Sequence, residues 1–461
     1  MSNSLRLTGA QHEKLMAHLF PGDGNEAVAL ALCGRLETDA ARILCVHDLL
    51  LVDHSACRER TPLRVTWPTE IGRRTYEKAA EKSMAVLKIH SHPGYYPQFS
   101  EVDDESDLEL FKALHSWCDD GLPHGSAVML PGGAMFGRLI SGSGDFTPLD
   151  RISVVGDDIL IFEHLEGHQA ELDEVQLRTR QTFGDRTSLL LAGLTVAIIG
   201  CSGTGSWVIE QLARLGVGRL ILIDPKIAEA RNLNRIIGID GEDVKHNEPK
   251  VFALKKHIEA MGTGTQVIAH HGDIFDEVIA RQLAGADVIF GCMDSVEGRA
   301  WLNRIAAFYL VPYFDLGVRL DADGDGGIST VCGNVNYILP DGSSLMSRGC
   351  ISSDALRAET LRRKHPEQYE LELQDGYIKG VKVESPAVVS INGFCAAMAV
   401  NELLARLHPY RSSSNREHRR QQFDLKNGFW NQLDDSEPCP LLSRLAGRGD
   451  MKPFLDAVSD A

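Results

Sequence analysis

The chain has 461 residues, with 64 acidic against 47 basic side chains and a formal net charge of −17. This length suggests two or three domains, with two as the default expectation. The acidic balance argues against nucleic acid or an anionic membrane as the main partner, which leaves proteins and small molecules. Ten cysteines without a close CxxC pair fit a reduced protein, and no export signal or apolar span is visible, so we expect a cytoplasmic protein.

A group of possible metal ligands follows an early strand pattern. His90 and His92 come after the apolar run MAVLKI, and residues two apart on a strand share a face, so both imidazoles can reach one ion. Ser100 and Asp103 form a capping box at the start of an amphipathic helical pattern. Two imidazoles and one carboxylate leave a tetrahedral zinc ion one open position, as in a catalytic site. The whole pattern is expected by chance only about 10⁻⁴ times in such a chain.

The stretch HSHPGYYPQFSEVD resembles the HSHPxxxxxxSxxD motif of the JAB/MPN-type (JAMM) zinc metalloproteases. Members of that family cleave bonds after the C-terminus of ubiquitin-like proteins, or trim related small carriers. The resemblance implies that His90, His92 and Asp103 are zinc ligands and that the Ser100 hydroxyl helps to hold the tetrahedral intermediate. It also implies an upstream glutamate as general base.

Glu26 is the candidate for that base, because it opens the apolar run AVALALCGRL, where the family has a glutamate entering its first core strand. Glu37, at the far end of the same run, is the competing candidate. The choice of Glu26 rests on the resemblance, since a single glutamate is most often a solvated surface group.

The pattern of predicted elements divides the chain into four segments. Residues 1–165 alternate strand and helix patterns around the histidine motif, and residues 166–189 form a charged, helical junction. Residues 190–410 repeat strand, turn and helix, as a doubly wound, mostly parallel sheet does. Residues 411–461 are more polar and are expected to form a C-terminal arm over the core or a partner-binding tail.

A glycine-rich turn opens the third segment. The run LTVAIIGCSGTGSWVIEQLARLGVGRLILIDP predicts a strand, a turn, a helix and a second strand. Gly200, Gly203 and Gly205 would let the backbone approach phosphate groups at a helix N-terminus. Asp224 follows at the spacing expected of an acid that binds a ribose hydroxyl. The turn alone would fit a dinucleotide enzyme equally well.

Residues further along the chain favour ATP over NAD. Asn232, Arg235 and Lys250 supply polar and cationic groups, and Asp294 ends the apolar strand ADVIFGCMDS. Hydride transfer has no need of these groups. Acyl adenylation does, because a carboxylate attacks the α-phosphate while cations and Mg²⁺ neutralise the accumulating charge.

Residues 175–410 resemble the ThiF/MoeB family and the adenylation domain of ubiquitin-activating enzymes. The resemblance places Gly200, Gly203 and Gly205 in the phosphate loop and Asp224 on the ribose. It places the remaining residues around the phosphates and the metal: Asn232, Arg235 and Lys250 on the phosphates, and Asp294 on Mg²⁺.

The segment LRTRQ matches the RYxRQ helix of the same family, so Arg180 resembles its arginine finger, which in homodimeric relatives reaches the partner's site. A homodimer is therefore implied.

The chain departs from the family at Ser202, which replaces a loop glycine, and at Lys226, where relatives often have a second acid. It also lacks the family's paired CxxC motifs, so no structural zinc is expected.

Cys350, in the polar loop SLMSRGCISSDALRAE, is the candidate for a thioester-forming cysteine. Its place in a loop and the neighbouring Arg348 favour a reactive thiolate. It could instead be the remnant of a lost zinc knuckle, with Cys439 as the other survivor. Cys201 and Cys292 lie at strand ends and are interpreted as packing residues.

The sequence thus predicts an α/β protein, with an N-terminal JAB/MPN domain followed by a Rossmann-like, doubly wound adenylation domain. We expect a zinc isopeptidase joined to an ATP- and Mg²⁺-dependent activating enzyme. Its expected partners are a ubiquitin-like or sulfur-carrier protein with a C-terminal glycine, and a conjugating enzyme. Two alternatives remain: a sulfur-transfer activator whose protease half trims the carrier, and a non-catalytic adenylation fold that presents the carrier to the protease.

Overall fold

The computed structural model describes residues 1–164, 174–323, 325–375, 387–452 and 454–455. The chain forms two compact units, here called unit 1 and unit 2. Unit 1 comprises Met1–His168, Ala307–Leu310 and Arg444–Ala461, and unit 2 comprises Gln169–Ala306 and Val311–Ser443. None of the described helices combines the length and the apolar character needed to cross a membrane.

Unit 1 is built on a nine-stranded mixed sheet with the order β11-β10-β1-β3-β2-β6-β7-β8-β9, and β4 and β5 form a separate hairpin. Its strands are β1 (Ser2–Thr8), β2 (Val28–Glu37), β3 (Ala41–Leu51), β4 (Glu59–Thr61), β5 (Arg64–Thr66), β6 (Ala85–Ser91), β7 (His124–Met129), β8 (Met135–Ile140), β9 (Phe146–Pro148), β10 (Arg151–Val155) and β11 (Ile159–Glu163). Its helices are α1 (Gly9–Leu19), α2 (Arg73–Lys82) and α3 (Glu101–Cys118).

The strand β2 is buried on both faces, which explains its continuous apolar sequence. Ala29 and Ala31 pack in one core cluster together with residues of α1. Leu30 and Leu32 pack in a second cluster together with residues of α2 and α3. Alternate residues of a strand point to opposite faces, so β2 separates two helical layers.

A short segment from the C-terminal part of the chain completes unit 1. The amide of Gly34 in β2 donates to the carbonyl of Gly447 at 3.1 Å, and the amide of Asp450 donates to the carbonyl of Arg35 at 2.8 Å. A Cβ atom on Gly34 would lie 2.2 Å from the carbonyl carbon of Arg448, so the close approach of the two backbones requires glycine there.

Unit 2 contains an eight-stranded sheet with the order β14-β13-β12-β15-β16-β17-β18-β19. Its strands are β12 (Thr195–Ile199), β13 (Arg219–Ile223), β14 (Gln266–His270), β15 (Val288–Gly291), β16 (Tyr313–Ala322), β17 (Ile328–Ile338), β18 (Arg420–Asp424) and β19 (Phe429–Leu433). Its helices are α4 (Leu177–Gly193), α5 (Gly203–Arg214), α6 (Gly241–Lys245), α7 (Lys250–Ala260), α8 (Glu277–Gly285), α9 (Val296–Tyr309), α10 (Ser353–Lys364), α11 (Pro366–Gln374) and α12 (Val389–Leu407), the last residues of α9 being assigned to unit 1.

The predicted α/β fold class is confirmed in both units. Strands β12 to β16 pair in parallel. The chain first adds β13 and β14 on one side of β12 and then crosses to its other side to add β15 and β16. Such a switch point is where doubly wound folds bind nucleotides. The pairs from β16 to β19 are antiparallel, which the sequence analysis did not anticipate. Of the segment 411–461, β18 and β19 belong to this sheet, whereas 444–450 belongs to unit 1.

Candidate functional site

The histidines and the aspartate of the predicted zinc motif lie together in unit 1. His90 is in β6, His92 directly follows this strand, and Asp103 lies in the first turn of α3. The Nε2 atoms of the two histidines are 3.1 Å apart. Asp103 places Oδ1 at 2.9 Å from Nε2 of His90 and Oδ2 at 3.4 Å from Nε2 of His92.

These separations match those of three ligands on one zinc ion. Zn–N and Zn–O bonds near 2.05 Å at tetrahedral angles would separate the ligand atoms by about 3.3 Å. All three residues are buried, and their candidate ligand atoms lie within 4.8 Å of one another. Two unprotonated imidazole nitrogens facing each other would repel unless a cation lay between them, so the donor set fits a divalent metal.

Hydrogen bonds fix the orientation of the second histidine. Nδ1 of His92 lies 2.8 Å from the carbonyl oxygen of Tyr96 and donates to it, which leaves Nε2 as the ligand atom. Burial lowers the pKa of His90 despite the neighbouring Asp103. Burial also opposes the charged form of His92, but hydrogen bonds to Asp103 and Tyr96 raise its pKa overall. The pKa of Asp103 is lowered: burial opposes this shift, but hydrogen bonds to both histidines outweigh it.

Glu26 lies beside this site, because β2 pairs antiparallel with β6 and Val28 is opposite His90. Its side chain is 6% exposed. Burial raises the pKa of Glu26 to about 7; the charge of His92 lowers it by less, and the charge of Asp103 adds to the increase. A buried carboxyl that titrates near neutrality can accept and return a proton.

Glu37 lies at the other end of β2, nine residues from Val28, or about 30 Å at the rise of a strand. It forms an ion pair with Arg42 at 2.9 Å. The geometry therefore favours Glu26 over Glu37 as the general base.

The Ser100 hydroxyl is turned towards the carboxylate of Asp103. It donates to Oδ2 at 2.7 Å, and it accepts from the amide of Asp103 at 3.2 Å. Both halves of the predicted capping box are present at the start of α3. The serine therefore aims the carboxylate of Asp103 at the histidines.

A groove of about 680 Å³ extends from the site along α3. Glu26, His90 and Asp103 line one end, and Trp117, in the last turn of α3, lines the other. Trp117 is fourteen positions after Asp103 in α3, or about 21 Å along the axis at the rise of a helix. An extended peptide of about six residues would span that distance.

The glycine-rich turn of unit 2 lies at the end of β12, as predicted. Gly200 has φ of 90°, and a Cβ atom there would lie 2.6 Å from the carbonyl oxygen of Cys292, so only glycine fits. Gly203 and Gly205 lie in the first turn of α5, which carries no side-chain cap at Ser202. The free N–H groups of this turn can therefore bind an anion.

Asp224 follows β13, the neighbour of β12, and is 5% exposed. Its Oδ2 accepts from the amide of Cys201 and its Oδ1 from the amide of Lys226, both at 2.8 Å. Residue 226 contacts Asp224 through its backbone amide, so this hydrogen bond forms whether the residue is an acid or, as here, a lysine. Lys250 is 4% exposed, and burial lowers its pKa although the charge of Asp224 opposes this shift.

The remaining candidate residues for phosphate and metal binding, Asn232, Arg235 and Asp294, differ in their burial and their contacts. Asn232 is buried, and its Oδ1 accepts from the amide of Glu229 at 3.0 Å, which holds a 3₁₀ turn. The Cδ atom of Arg235 lies 3.6 Å from the position of a Cβ on Gly203. Asp294 is exposed in the loop after β15.

Arg180 lies in α4, close to a break in that helix at Gly184, where φ is 80°. Its Nε donates to Oδ1 of Asp185 at 2.7 Å. Among the described residues, the structure pairs the Arg180 guanidinium with Asp185 and not with the phosphate loop of its own chain.

Cys350 is partly exposed and lies between two polar groups. Its sulfur is 3.7 Å from Oδ1 of Asn336 and 3.8 Å from Nη1 of Arg420. Arg348, which the sequence analysis expected to activate the thiol, instead donates to backbone carbonyls of Tyr337 and Arg419.

Sequence reasoning missed two residues next to the candidate sites. Arg138 in β8 donates to Asp104 and Asp107 of α3, the helix that carries Asp103. Asn392 in α12 is 4% exposed and contacts the phosphate loop. A polar residue inside the apolar helical run VSINGFCAAMAV was the available signal for Asn392.

Comparisons with known proteins separate the same two regions. The family profile "ThiF family" matches residues 175–441, and the profile "Prokaryotic homologs of the JAB domain" matches residues 10–136. Among solved structures, the Microcin C7 biosynthetic enzyme MccB in complex with N-formylated MccA is similar at 17% identity and a TM-score of 0.46, over 59% of this chain and 75% of that one.

Among curated proteins, the chain is 25% identical to "Adenylyltransferase and sulfurtransferase MOCS3" of Danio rerio, over 28% of this chain and 29% of the relative. It is 24% identical to "Ubiquitin-like modifier-activating enzyme 5" of Dictyostelium discoideum, over 42% and 52%. It is 25% identical to "SAMP-activating enzyme E1" of Haloferax volcanii, over 32% and 50%. The matches thus span about half or less of these relatives. With a family profile that covers more than half of its length, the chain belongs to the ThiF family, and it carries a prokaryotic JAB-type domain ahead of the ThiF domain.

Proposed function

We propose that the protein is a bifunctional enzyme acting on the C-terminal glycine of a ubiquitin-like or sulfur-carrier protein. The ThiF domain adenylates that glycine with ATP, and the JAB-type domain cleaves a peptide or isopeptide bond that follows it. Curated relatives named as adenylyltransferases or modifier-activating enzymes support the first activity. The buried triad beside Glu26 supports the second.

In the cleavage reaction, His90, His92 and Asp103 hold the metal, and Glu26 moves the proton. A zinc ion bound there would polarise the scissile carbonyl and lower the pKa of a water molecule. Glu26 takes a proton from this water as it attacks the carbonyl carbon, and then gives a proton to the departing amine. The groove along α3 binds the extended tail ahead of the scissile bond.

In the adenylation reaction, the carrier's terminal carboxylate attacks the α-phosphorus of ATP and pyrophosphate leaves. The first turn of α5 and the side chains of Arg235 and Lys250 bind the phosphates, and Asp224 binds the ribose. Asp294 is the residue that would hold Mg²⁺, which neutralises charge on the phosphates.

Arg180 is proposed to act in the site of a second copy of the chain, as an arginine finger of a homodimer. In the structure this side chain forms an ion pair with Asp185, whose side chain is 64% exposed. Solvent screens such a pair, so the guanidinium can be redirected towards a phosphate.

The adenylate has two possible fates, which differ in the role of Cys350. In the first, the Cys350 thiolate attacks the acyl group, AMP leaves, and the thioester is passed to a conjugating enzyme. Nη1 of Arg420 lies 3.8 Å from the sulfur and donates to it. In the second, a sulfur donor attacks the adenylate and forms a thiocarboxylate on the carrier, and Cys350 has no covalent role.

The observation that carries the proposal is the convergence of the phosphate loop, buried Asp224 and buried Lys250 at the switch point of the sheet in unit 2. ATP–pyrophosphate exchange, measured with a panel of purified ubiquitin-fold proteins ending in glycine, tests it. Exchange that depends on one of these proteins and on Lys250 is expected. A protein that only presents the carrier to the protease would bind it without exchange, and this result would refute the adenylation proposal.

A further inference from the structure

A buried asparagine from a distant part of the sequence lies against the first turn of α5. Asn392, in the first turn of α12, is 4% exposed. A Cβ atom on Gly203 would lie 2.2 Å from Nδ2 of Asn392, and the Thr204 hydroxyl donates to Oδ1 at 3.3 Å. Asn392 therefore contacts the two residues that begin α5, and its amide explains why residue 203 must be glycine.

The amide nitrogen of Asn392 has no acceptor in the part of the chain that the structure describes. Although the residue as a whole is buried, Nδ2 is not among the fully buried polar atoms that lack a partner, so a ligand can reach it. The first turn of α5 also has no side-chain cap. Donors from two helices thus lie side by side without acceptors, which indicates that a ligand with acceptor oxygens binds between them.

The side chain of Arg235 lies near the same glycine. Its Cδ atom is 3.6 Å from the position of a Cβ on Gly203, and its Nη1 donates to the carbonyl of Arg231 and to Oδ1 of Asn234. The charge of Arg235 also affects the buried Lys250. The uncapped first turn of α5, the amide of Asn392 and the nearby side chain of Arg235 together favour an anion with several oxygen atoms, such as a phosphate chain, as the ligand.

We propose that Asn392 is a nucleotide-binding residue whose Nδ2 donates to a phosphate oxygen of ATP. The proposal rests on the adenylation function and adds a contact from α12, outside the strand-turn-helix segment that carries the phosphate loop. A neutral donor in this position fixes the orientation of the phosphate chain without adding charge. Binding of ATP would thereby tie the start of α12 to the start of α5.

The substitution Asn392→Asp isolates the proposed donor. It preserves the volume of the side chain and the acceptor for the Thr204 hydroxyl, but it replaces the donor by an oxygen that repels phosphate. Asn392→Ala removes both contacts. Asn401→Ala is the matched control, because Asn401 lies on the same helix, is exposed and donates to the carbonyl of Ala397.

The dissociation constants of Mg-ATP and of adenosine are measured by calorimetry on the full-length protein, together with the melting temperature without ligand. Hydrogen bonds to charged groups predict that Asn392→Ala weakens Mg-ATP binding at least about tenfold, and that Asn392→Asp weakens it further. Adenosine binding is expected to be unchanged in all variants. Asn401→Ala should bind Mg-ATP as the wild type does.

Wild-type affinity of Asn392→Asp for Mg-ATP would overturn the inference while leaving the adenylation function intact. Equal weakening of Mg-ATP and adenosine, with a lower melting temperature, would also overturn it, because that result indicates a purely structural role. If the wild-type protein binds no Mg-ATP at all, the adenylation proposal fails first, and the role of Asn392 fails with it.

Discussion

Replacing Arg138 by glutamine is expected to loosen the helix that carries Asp103. Arg138 is 6% exposed and donates to Oδ2 of Asp107 at 2.7 Å and to Oδ1 of Asp104 at 2.5 Å. Asp107 is fully buried and also accepts from Nζ of Lys88 at 2.8 Å. The guanidinium therefore joins β8 to α3 one turn after Asp103.

The expected cost in free energy follows from these contacts. Removing one partner of a buried ion pair costs about 3–5 kcal/mol. Asp107 keeps its contact with Lys88, so we expect a cost at the low end of this range. The Arg138 guanidinium also stacks on Phe99 at 3.8 Å and on Phe146 at 3.7 Å, which adds about 1 kcal/mol. The glutamine amide recovers about 1 kcal/mol through one hydrogen bond. The net loss is about 3 kcal/mol, a factor of roughly 100 in an opening equilibrium.

Amide hydrogen exchange of the full-length protein, followed by mass spectrometry, measures this loss locally, without requiring that both units unfold in a single step. We expect peptides from Glu101–Cys118 to exchange up to about 100-fold faster in Arg138→Gln. Zinc affinity should fall about tenfold, because a support of the helix that carries a ligand is lost.

The matched control is Arg73→Gln, which breaks the exposed pair of Arg73 with Glu77 and should cost less than about 0.5 kcal/mol. Unchanged exchange in α3 together with unchanged zinc affinity of Arg138→Gln would refute the reasoning. Faster exchange across the whole of unit 1 would show that Arg138 stabilises the unit in general and does not specifically position α3.

Three further predictions concern the chemistry. Glu26→Gln should retain zinc, measured by metal analysis, but lose cleavage of a carrier extended at its C-terminus, whereas Glu37→Gln should cleave normally; retained cleavage by Glu26→Gln would exclude Glu26 as the base. Cys350→Ala should abolish a reducible carrier adduct on a non-reducing gel while pyrophosphate exchange persists, and an adduct that survives would assign the thioester elsewhere. Asp294→Asn should raise the Mg²⁺ concentration needed for half-maximal exchange about tenfold or more, and an unchanged requirement would place the metal on other ligands.

The parts of both sites that lie in continuous segments could be predicted from the sequence. A strand periodicity of two placed His90 and His92 on one face, and a capping box placed Asp103 in the first turn of a helix. The strand, glycine turn and helix around Gly200 were predictable for the same reason. In each case, the residues that determine the local geometry are within about fifteen positions of one another.

Contacts between distant segments could not be predicted in this way. Nothing in the sequence near Gly203 indicates that Asn392, 189 positions later, lies against it. The antiparallel pairing of β17 to β19 was missed because the pairing of β18 with β17 depends on tertiary contacts and not on local pattern. Arg138 was missed because a single arginine in a strand pattern indicates exposure, whereas this one is buried with Asp107.

The segment around Gly447, which packs on β2, has a consequence for biosynthesis. During translation, the N-terminal residues of unit 1 leave the ribosome more than 400 residues before Gly447 does. Their backbone contacts with Gly447 and Asp450 can form only after the ThiF domain between them has been synthesised. A chain whose synthesis stops within the ThiF domain would thus contain the strands of unit 1 without the segment that packs on β2.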